Sequence, residues 1–477
     1  MNHNVILPCS WVLVSIACWS LAGCDSTQSP AKPARFPTPT AGPLEPTEVI
    51  TSLPETTATP LTPPSNDVAA TPEAPATTQV PAITAVPVAT PTASPQDKTA
   101  ELPLDPNVEV ERLLAARLPA QELDLGWIRL FDGQSLMGWR DAGKADWRVE
   151  EGEILATSGE PGLLVTEVRF GDYELELEYL GDANTNSGVF LRTPDQPSDP
   201  KSDCFELNIA PPDNPFPTGS LVGRIKASEQ VDAPESGQWH SLHALVDQAH
   251  VQVWVNGEQT VDYQDDTGLA AGKIGLQFRE GSIRFRNIRL RPIGYRVLPG
   301  ANPSDWNEPK GAIQSRFTDE GTLAIEGGRG HMELLQPHAN VILQAKALTH
   351  SENTNSGIFF RCIPGEDMNG YESQIHHGYK EDRRRPVDAG SGAIFRRQNA
   401  KAVLSDEGSP VHLTIIADGP HIATWVEGVQ VVQWEDTRPA NPNPRKGLRT
   451  EAGTIMLQGH DPGTKIEFLG LSISPLP

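Results

Sequence analysis

The chain has 477 residues and carries 62 Asp and Glu against 38 Lys and Arg, a formal net charge of −24. That balance excludes a nucleic-acid partner and adhesion to anionic membrane surfaces, and the length leaves room for about three domains. Of the five cysteines, Cys9, Cys18 and Cys24 lie near the N-terminus, while Cys204 and Cys362 fall one in each half of the chain. No disulfide framework can form within a domain, so the latter two are expected as buried free thiols.

Residues 5–23 form an apolar run broken by Pro8 and several serines. Its length suits a secretory h-region rather than a spanning helix. It ends Leu21-Ala22-Gly23-Cys24, which resembles a bacterial lipobox, although the preceding Met1–Asn4 contains no Lys or Arg. Residues 1–24 are therefore expected to be a lipoprotein signal peptide, with Cys24 the lipidated first mature residue. The protein would be exported and lipid-anchored to the bacterial cell envelope, with the lipid as its membrane contact. Residues 25–105 follow as a Pro/Thr/Ala-rich stretch, and 18 of the 44 prolines lie between residues 30 and 106. Without apolar periodicity it cannot bury enough surface to offset chain entropy, so a disordered linker is expected. Within 106–123, Val108 to Leu118 carries apolar residues at helical spacing and predicts one short helix.

From Trp127 onward the pattern changes. Trp127-Ile-Arg-Leu-Phe-Asp-Gly133, Leu136-Met-Gly-Trp139 and Trp147-Arg-Val-Glu-Glu-Gly-Glu-Ile154 are short runs broken by Asp-Gly and Glu-Gly turns. Tyr173-Glu-Leu-Glu-Leu-Glu-Tyr179 alternates strictly, as a half-buried strand does. Val251 to Val255 and Gln259 to Val261 read as a hairpin through Asn256-Gly257. Many short strands without a long helix predict an all-β sandwich.

The chain then repeats itself. Asn184-Thr-Asn-Ser-Gly-Val-Phe-Leu-Arg192 recurs as Asn353-Thr-Asn-Ser-Gly-Ile-Phe-Phe-Arg361. Phe205–Ile209 recurs as Tyr371–Ile375, and Thr218–Val222 as Ser391–Phe395. The set His250, Trp254, Gly257 and Asp265 returns as His421, Trp425, Gly428 and Asp436, and Gly272–Gln277 as Gly453–Gln458. Five matches in one order mean two copies of a domain, over 124–294 and 300–477. The period is too long for a solenoid.

These motifs, F-D-G-x-S-L-x-G-W, N-S-G-[VI]-F-[LF]-R, Y-E-x-Q-I, the W-V-x-G hairpin and the late L-Q strand, resemble the 3-keto-disaccharide hydrolase domain. The resemblance implies two tandem concanavalin A-like jelly-roll β-sandwiches. It also implies cleavage of glycosides already oxidised at C3. A 3-keto group acidifies the C2 proton; a base removes it, and the electron pair expels the C1 substituent. Such a site needs a base, an acid, and donors or a cation for the enolate oxygen, which makes a divalent metal a candidate cofactor.

Alternation places Glu372, Gln374 and His376 on one face and Tyr371, Ser373 and Ile375 on the other. In the first copy Glu206 and Asn208 share the corresponding face, and Gln277 and Gln458 are expected beside them. The copies differ in that His376 and His460 stand where the first has Ala210 and Arg279, and Arg396-Arg397 follow the Ser-Gly turn. The second copy is therefore the expected catalytic one. Glu372, His376 and His460 are the catalytic candidates and also the candidate metal ligands. Gln374, Gln458, Arg396, Glu206, Asn208 and Gln277 are the candidate substrate contacts, the partner being an oxidised 3-keto-glycoside or polysaccharide. The bland alternatives are solvated residues on an open sheet face, a non-catalytic lectin-like glycan-binding lipoprotein, or a structural envelope protein. Arg192 and Arg361 are expected to brace the Asn-Ser-Gly loop, and Asn186 and Asn355 to fix its turn. Trp254 and Trp425 are expected in the core, and Arg383-Arg-Arg385 in a solvated loop.

Overall fold

The structure, a computed structural model, describes residues 107–211, 213–228, 237–298 and 303–477. The expected signal peptide, Cys24 and the Pro/Thr-rich stretch lie outside the described residues. The predicted single helix is two, Val110–Ala115 and Ala120–Asp124. Pro119 divides them: its ring disfavours helical backbone at Leu118, while its own fixed φ of −62° caps the second helix. Neither helix stands alone. Leu113 is fully buried in the core of the second repeat, and Leu118 lies against Gly428.

Each repeat is a sandwich of a larger and a smaller antiparallel sheet with the same strand order. In the first, the larger sheet runs Glu258–Gln264, His250–Val255, His240–Asp247, Tyr173–Gly181, Ile283–Pro292, Glu153–Ala156, Arg148–Glu150. The second follows it strand for strand from Val429–Glu435 to Gln314–Phe317. The smaller sheets correspond likewise: Phe205–Ile209, Asn186–Thr193, Lys273–Glu280, Gly162–Thr166, Trp139–Asp141 against Tyr371–Ile375, Ser356–Cys362, Gly453–Gly459, Gly330–His338, Lys310–Gly311. Arg296–Leu298 already pairs with Lys465–Pro475, so the second repeat begins a few residues before 300.

The strand Tyr173–Gly181 shows how the pattern sets the packing. Tyr173, Leu175, Leu177 and Tyr179 are buried in the core. Glu174, Glu176 and Glu178 face outward and pair with Arg291, Arg289 and Arg286 of the neighbouring strand at 2.5, 2.5 and 2.6 Å. Cys204 and Cys362 are free and buried. Each lies in a small apolar cluster of its own repeat, Cys204, just before strand Phe205–Ile209, with Phe190, and Cys362, at the end of strand Ser356–Cys362, with Phe359.

Several expectations need correcting. Arg192 and Arg361 are buried and bind carbonyls, but not those of the Asn-Ser-Gly loop. Arg192 donates to Gly171, Gln248 and Leu269; Arg361 donates to Ala339, Gly419 and Arg449. Both therefore tie loops at the far end of their strand. The Asn-Ser-Gly turn is held instead by Ser187 and Ser356, whose hydroxyls donate to the Gln277 and Gln458 carbonyls. Trp254 is half-buried on the outer face of its sheet, stacked on His243 at 4.7 Å. Trp425 is buried, but between the sandwiches: it joins the first repeat's apolar cluster with Ile342, Ile416 and Ala423, and its indole N–H donates to the Arg129 carbonyl. Tyr379–Lys380 and Asp382–Pro386 form a small hairpin in which Arg383 pairs with Asp406 at 2.6 Å.

Candidate functional site

The outer face of the second repeat's smaller sheet carries polar residues in rows. Strand register aligns Glu333, Met456, Phe359 and Glu372 in one row, and His331, Gln458, Gly357 and Gln374 in the next. Gly357 leaves the floor open: a Cβ there would meet the Glu372 side chain at 3.1 Å. Tyr371 and Ile375, with opposite parity, enter the core. The segment Ser391–Gln398 follows the edge of strand Tyr371–Ile375, with the Phe395 N–H donating to the Glu372 carbonyl and the Gly392 N–H to that of Gln374. This edge pairing presents Phe395 and Arg396 to the same face.

Two adjoining cavities result. One, of about 240 Å³, is lined by Arg329, Asn355, Gln374, Gln458 and His460 together with Glu372, Phe395, Arg396 and Arg445. The other, of about 150 Å³, shares those last four and adds Gly370, Tyr371, Ile394, Arg397 and Pro444. Glu372 thus stands at the junction. It is 7% exposed, and burial pushes its carboxyl up to about 7 despite the opposing field of Arg445, His460, Arg396 and Arg329. Its nearest cation is Arg445, at 3.9 Å. Gln374 donates to Asn355 at 3.3 Å, and Asn355 donates to Asp388 at 3.0 Å. The Oε1 atoms of Gln374 and Gln458 are buried without a hydrogen-bond partner, which leaves two acceptors for a ligand. His460 is half-exposed, its Nδ1 held 2.9 Å from Asp461, and that bond keeps the Asp461 carboxyl below the usual range. The arrangement leaves Nε2 for the cavity.

Among the predicted residues, the structure brings Glu372, Gln374, Arg396, Gln458 and His460 together. His376 does not line either cavity. It is buried, with Nδ1 accepting from the Gly378 N–H and Nε2 3.9 Å from Asp388, and burial lowers its pKa. Glu206, Asn208 and Gln277 lie on the matching face of the first repeat and form no part of this pocket. There, burial raises the Glu206 carboxyl, Gln277 binds it, and Asn208 is committed to the Phe216 carbonyl. Among the described residues no three His, Cys, Asp or Glu side chains gather as a metal-binding group. His376, His460 and Glu372 therefore do not fit a metal centre.

Sequence reasoning missed Asn355, Arg329, Phe395 and Arg445. Asn355 was read as a turn residue, yet its side chain bonds Asp388 and Gln374 rather than the turn. Arg445 sits on a segment, Asp436 to Gly453, that is longer than its counterpart Asp265 to Gly272. That excess length was the available signal. The segment is held by Arg438, which bonds Asp436 and the Pro444 and Gly447 carbonyls, and by the Tyr371 hydroxyl bonding Asp436. Arg445 itself donates to the Met368 carbonyl.

Residues 126–291 and 295–473 each match the profile of the 3-keto-alpha-glucoside-1,2-lyase-like domain. The chain is 27% identical over 245 residues to a 3-keto-disaccharide hydrolase of Bacteroides thetaiotaomicron, a match spanning 38% of this chain and 84% of that protein. Among solved structures it resembles a candidate glycosyl hydrolase from Parabacteroides distasonis (19% identity, TM-score 0.32, 37% of this chain and 99% of that one). It also resembles the carbohydrate-binding module CBM66 of Bacillus subtilis (13% identity, TM-score 0.27, 32% and 95%).

Proposed function

The chain belongs to the family of 3-keto-alpha-glucoside-1,2-lyase-like domains, and on that premise we propose that its second repeat cleaves 3-keto-glycosides at C1, with Glu372 as the base. One observation carries the reading: a buried carboxylate with a pKa near 7 at the junction of two cavities. A base of that strength is half ionised at neutral pH and still basic enough to take an acidified proton.

The 3-keto sugar occupies the larger cavity, where Gln374 and Gln458 offer unpaired acceptors to its hydroxyls. Glu372 removes the C2 proton, the C–H electron pair forms the C1=C2 bond, and the C1–O pair departs on the aglycone. Arg329, which lines the same cavity, donates to the C3 oxygen as negative charge builds there, beside the His460 ring that Asp461 orients. Glu372 then passes its proton to the departing oxygen, since it also faces the second cavity. The products are an enone and the free aglycone; water adding at C1 completes a hydrolysis. The first repeat has Arg279 and Gly223 where the second has His460 and Arg396, which supports a scaffold or binding role for it.

The experiment is incubation of purified protein with a 3-keto-glucoside and assay of released aglycone. Glu372→Gln abolishes release and Glu206→Gln does not. Binding of the sugar without release by the wild type would favour the lectin-like alternative. We further propose export and lipid anchoring through Cys24. In that reading Cys24→Ser leaves an unprocessed or soluble precursor, and a mutant that still fractionates with membranes like the wild type rejects it.

A further inference from the structure

The charge of the pocket runs against that of the chain. A protein with a net charge of −24 gathers Arg329, Arg396 and Arg445 around one carboxylate, Glu372, with His460 beside them on its own partner Asp461. Arg397 joins them at the smaller cavity. Elsewhere several arginines are ion-paired: the four on strand Ile283–Pro292 each hold a glutamate, and Arg438 holds Asp436. Around the pocket, Arg445 has only the distant Glu372 for an ion partner among the described residues, and Arg397 is bonded to carbonyls of Arg396 and Arg445. Neutralising Glu372 does not account for so many cations, because one guanidinium suffices for one carboxylate.

The backbone also supports a dedicated site. Arg396 has a φ of +61°, a left-handed conformation that strains a side-chain-bearing residue. The matching residue of the first repeat is Gly223, with a φ of +73°. The second repeat therefore holds an arginine at a turn better suited to glycine. Such strain persists where the surrounding structure enforces it, and it concentrates at ligand sites. Arg445 is delivered by the lengthened segment from Asp436 to Gly453, which has no counterpart of its size in the first repeat.

We propose that the smaller cavity, lined by Arg396, Arg397 and Arg445 beside Tyr371 and Phe395, is a leaving-group subsite for an anionic sugar, one bearing a carboxylate or a sulfate ester. Glu372 separates it from the larger cavity, so the charged residue sits on the departing side of the scissile bond. The placement on that side rests on the catalytic reading above; the preference for an anion does not.

Two measurements keep those claims apart. The first is binding of unoxidised disaccharides, which the proposed reaction does not consume: cellobiose against glucosyl-β-1,4-glucuronic acid, whose carboxylate is on the reducing-end residue, and cellobiose sulfated on its reducing-end residue, by calorimetry on the full folded chain. At least one anionic ligand binds roughly tenfold or more tighter than cellobiose, the worth of about one charge-assisted hydrogen bond. The advantage shrinks with added salt, and Arg396→Gln and Arg445→Gln each reduce it. Which anion gains identifies the group. Equal binding of all three ligands overturns the proposal, as does a preference left intact by both substitutions. The second measurement is the kcat/KM ratio for the C3-oxidised forms of the same disaccharides. If binding shows the preference but no turnover occurs, the catalytic reading fails and the anion site stands. If turnover occurs with no anionic preference in either measurement, the reverse holds.

Discussion

Glu372 is folded into surroundings that disfavour its own charge, and this has opposite consequences for activity and stability. If it is the base, kcat/KM rises with pH through about 7, following ionisation of the carboxyl. Glu372→Gln lowers turnover by roughly 10²–10⁴-fold. For stability the sign is reversed. A carboxyl whose folded pKa lies above its model value of 4.5 binds protons more tightly in the folded state, so stability falls as pH rises from about 4.5 through about 7. Glu372→Gln removes that cost and should stabilise the fold at pH 8 by at most roughly 3 kcal/mol. Denaturant titrations of both proteins at pH 5 and pH 8 check this: the gain should appear only at the higher pH. At this scale much of the site was legible, because strict alternation along one strand separates Glu372 and Gln374 from Tyr371 and Ile375. His376 was misjudged because it follows the last strand residue, where alternation no longer governs direction.

Among elements, the strands were readable and the connections were not. A strand's burial follows its period, whereas a loop's course depends on bonds to distant parts of the chain. Arg192 and Arg361 show the difference: their burial could be expected, but their carbonyl partners lie on loops far away in sequence. The segment from Asp436 to Gly453 shows it again, since nothing local indicates that it carries Arg445 to Glu372. Replacing residues 437–452 with the first repeat's 266–271 tests that element as a unit. The sandwich should still fold, because the segment lies outside the cluster formed by Ile455 and Leu457. Loss of Arg445 removes one of the four charges that oppose the rise in the Glu372 pKa, so the pH–rate profile should shift to higher pH. An unchanged profile would show that Arg445 does not act on the base. In the outward ladder of the first repeat, by contrast, Glu176→Gln should cost about 1 kcal/mol or less by thermal melting, since Arg289 keeps Glu122 as a partner and ion pairs that reach solvent contribute little.

In the whole molecule the two sandwiches are not independent beads. The larger sheet of the second repeat turns Trp425, Ile342, Ile416 and Ala423 toward the first, which explains an apolar outer face that no isolated sandwich would keep. Repetition of sequence announced two domains, but it could not announce this contact, since the interface residues read as ordinary strand residues. The contact also reaches the site. Asp132, from the Phe-Asp-Gly motif of the first repeat, pairs with Lys401 at 2.7 Å, with both side chains less than a tenth exposed. Lys401 lies on the segment that continues from Arg396, and Arg117 and Arg383 pair with Asp406 a few residues further on. The first repeat therefore helps to hold the edge of the second repeat's pocket. Removing one partner of a buried pair leaves the other charged and unsolvated, at a cost of about 3–5 kcal/mol. Asp132→Asn should accordingly lower the unfolding free energy by that order. The double variant Asp132→Asn, Lys401→Met should recover a large part of it, because no buried charge remains. If Asp132 serves only the interface, the double variant should turn over 3-keto-glucoside like the wild type. If it also positions the Arg396 segment, the double variant should regain stability while KM stays raised, and measuring melting and kinetics on the same preparations separates the two outcomes.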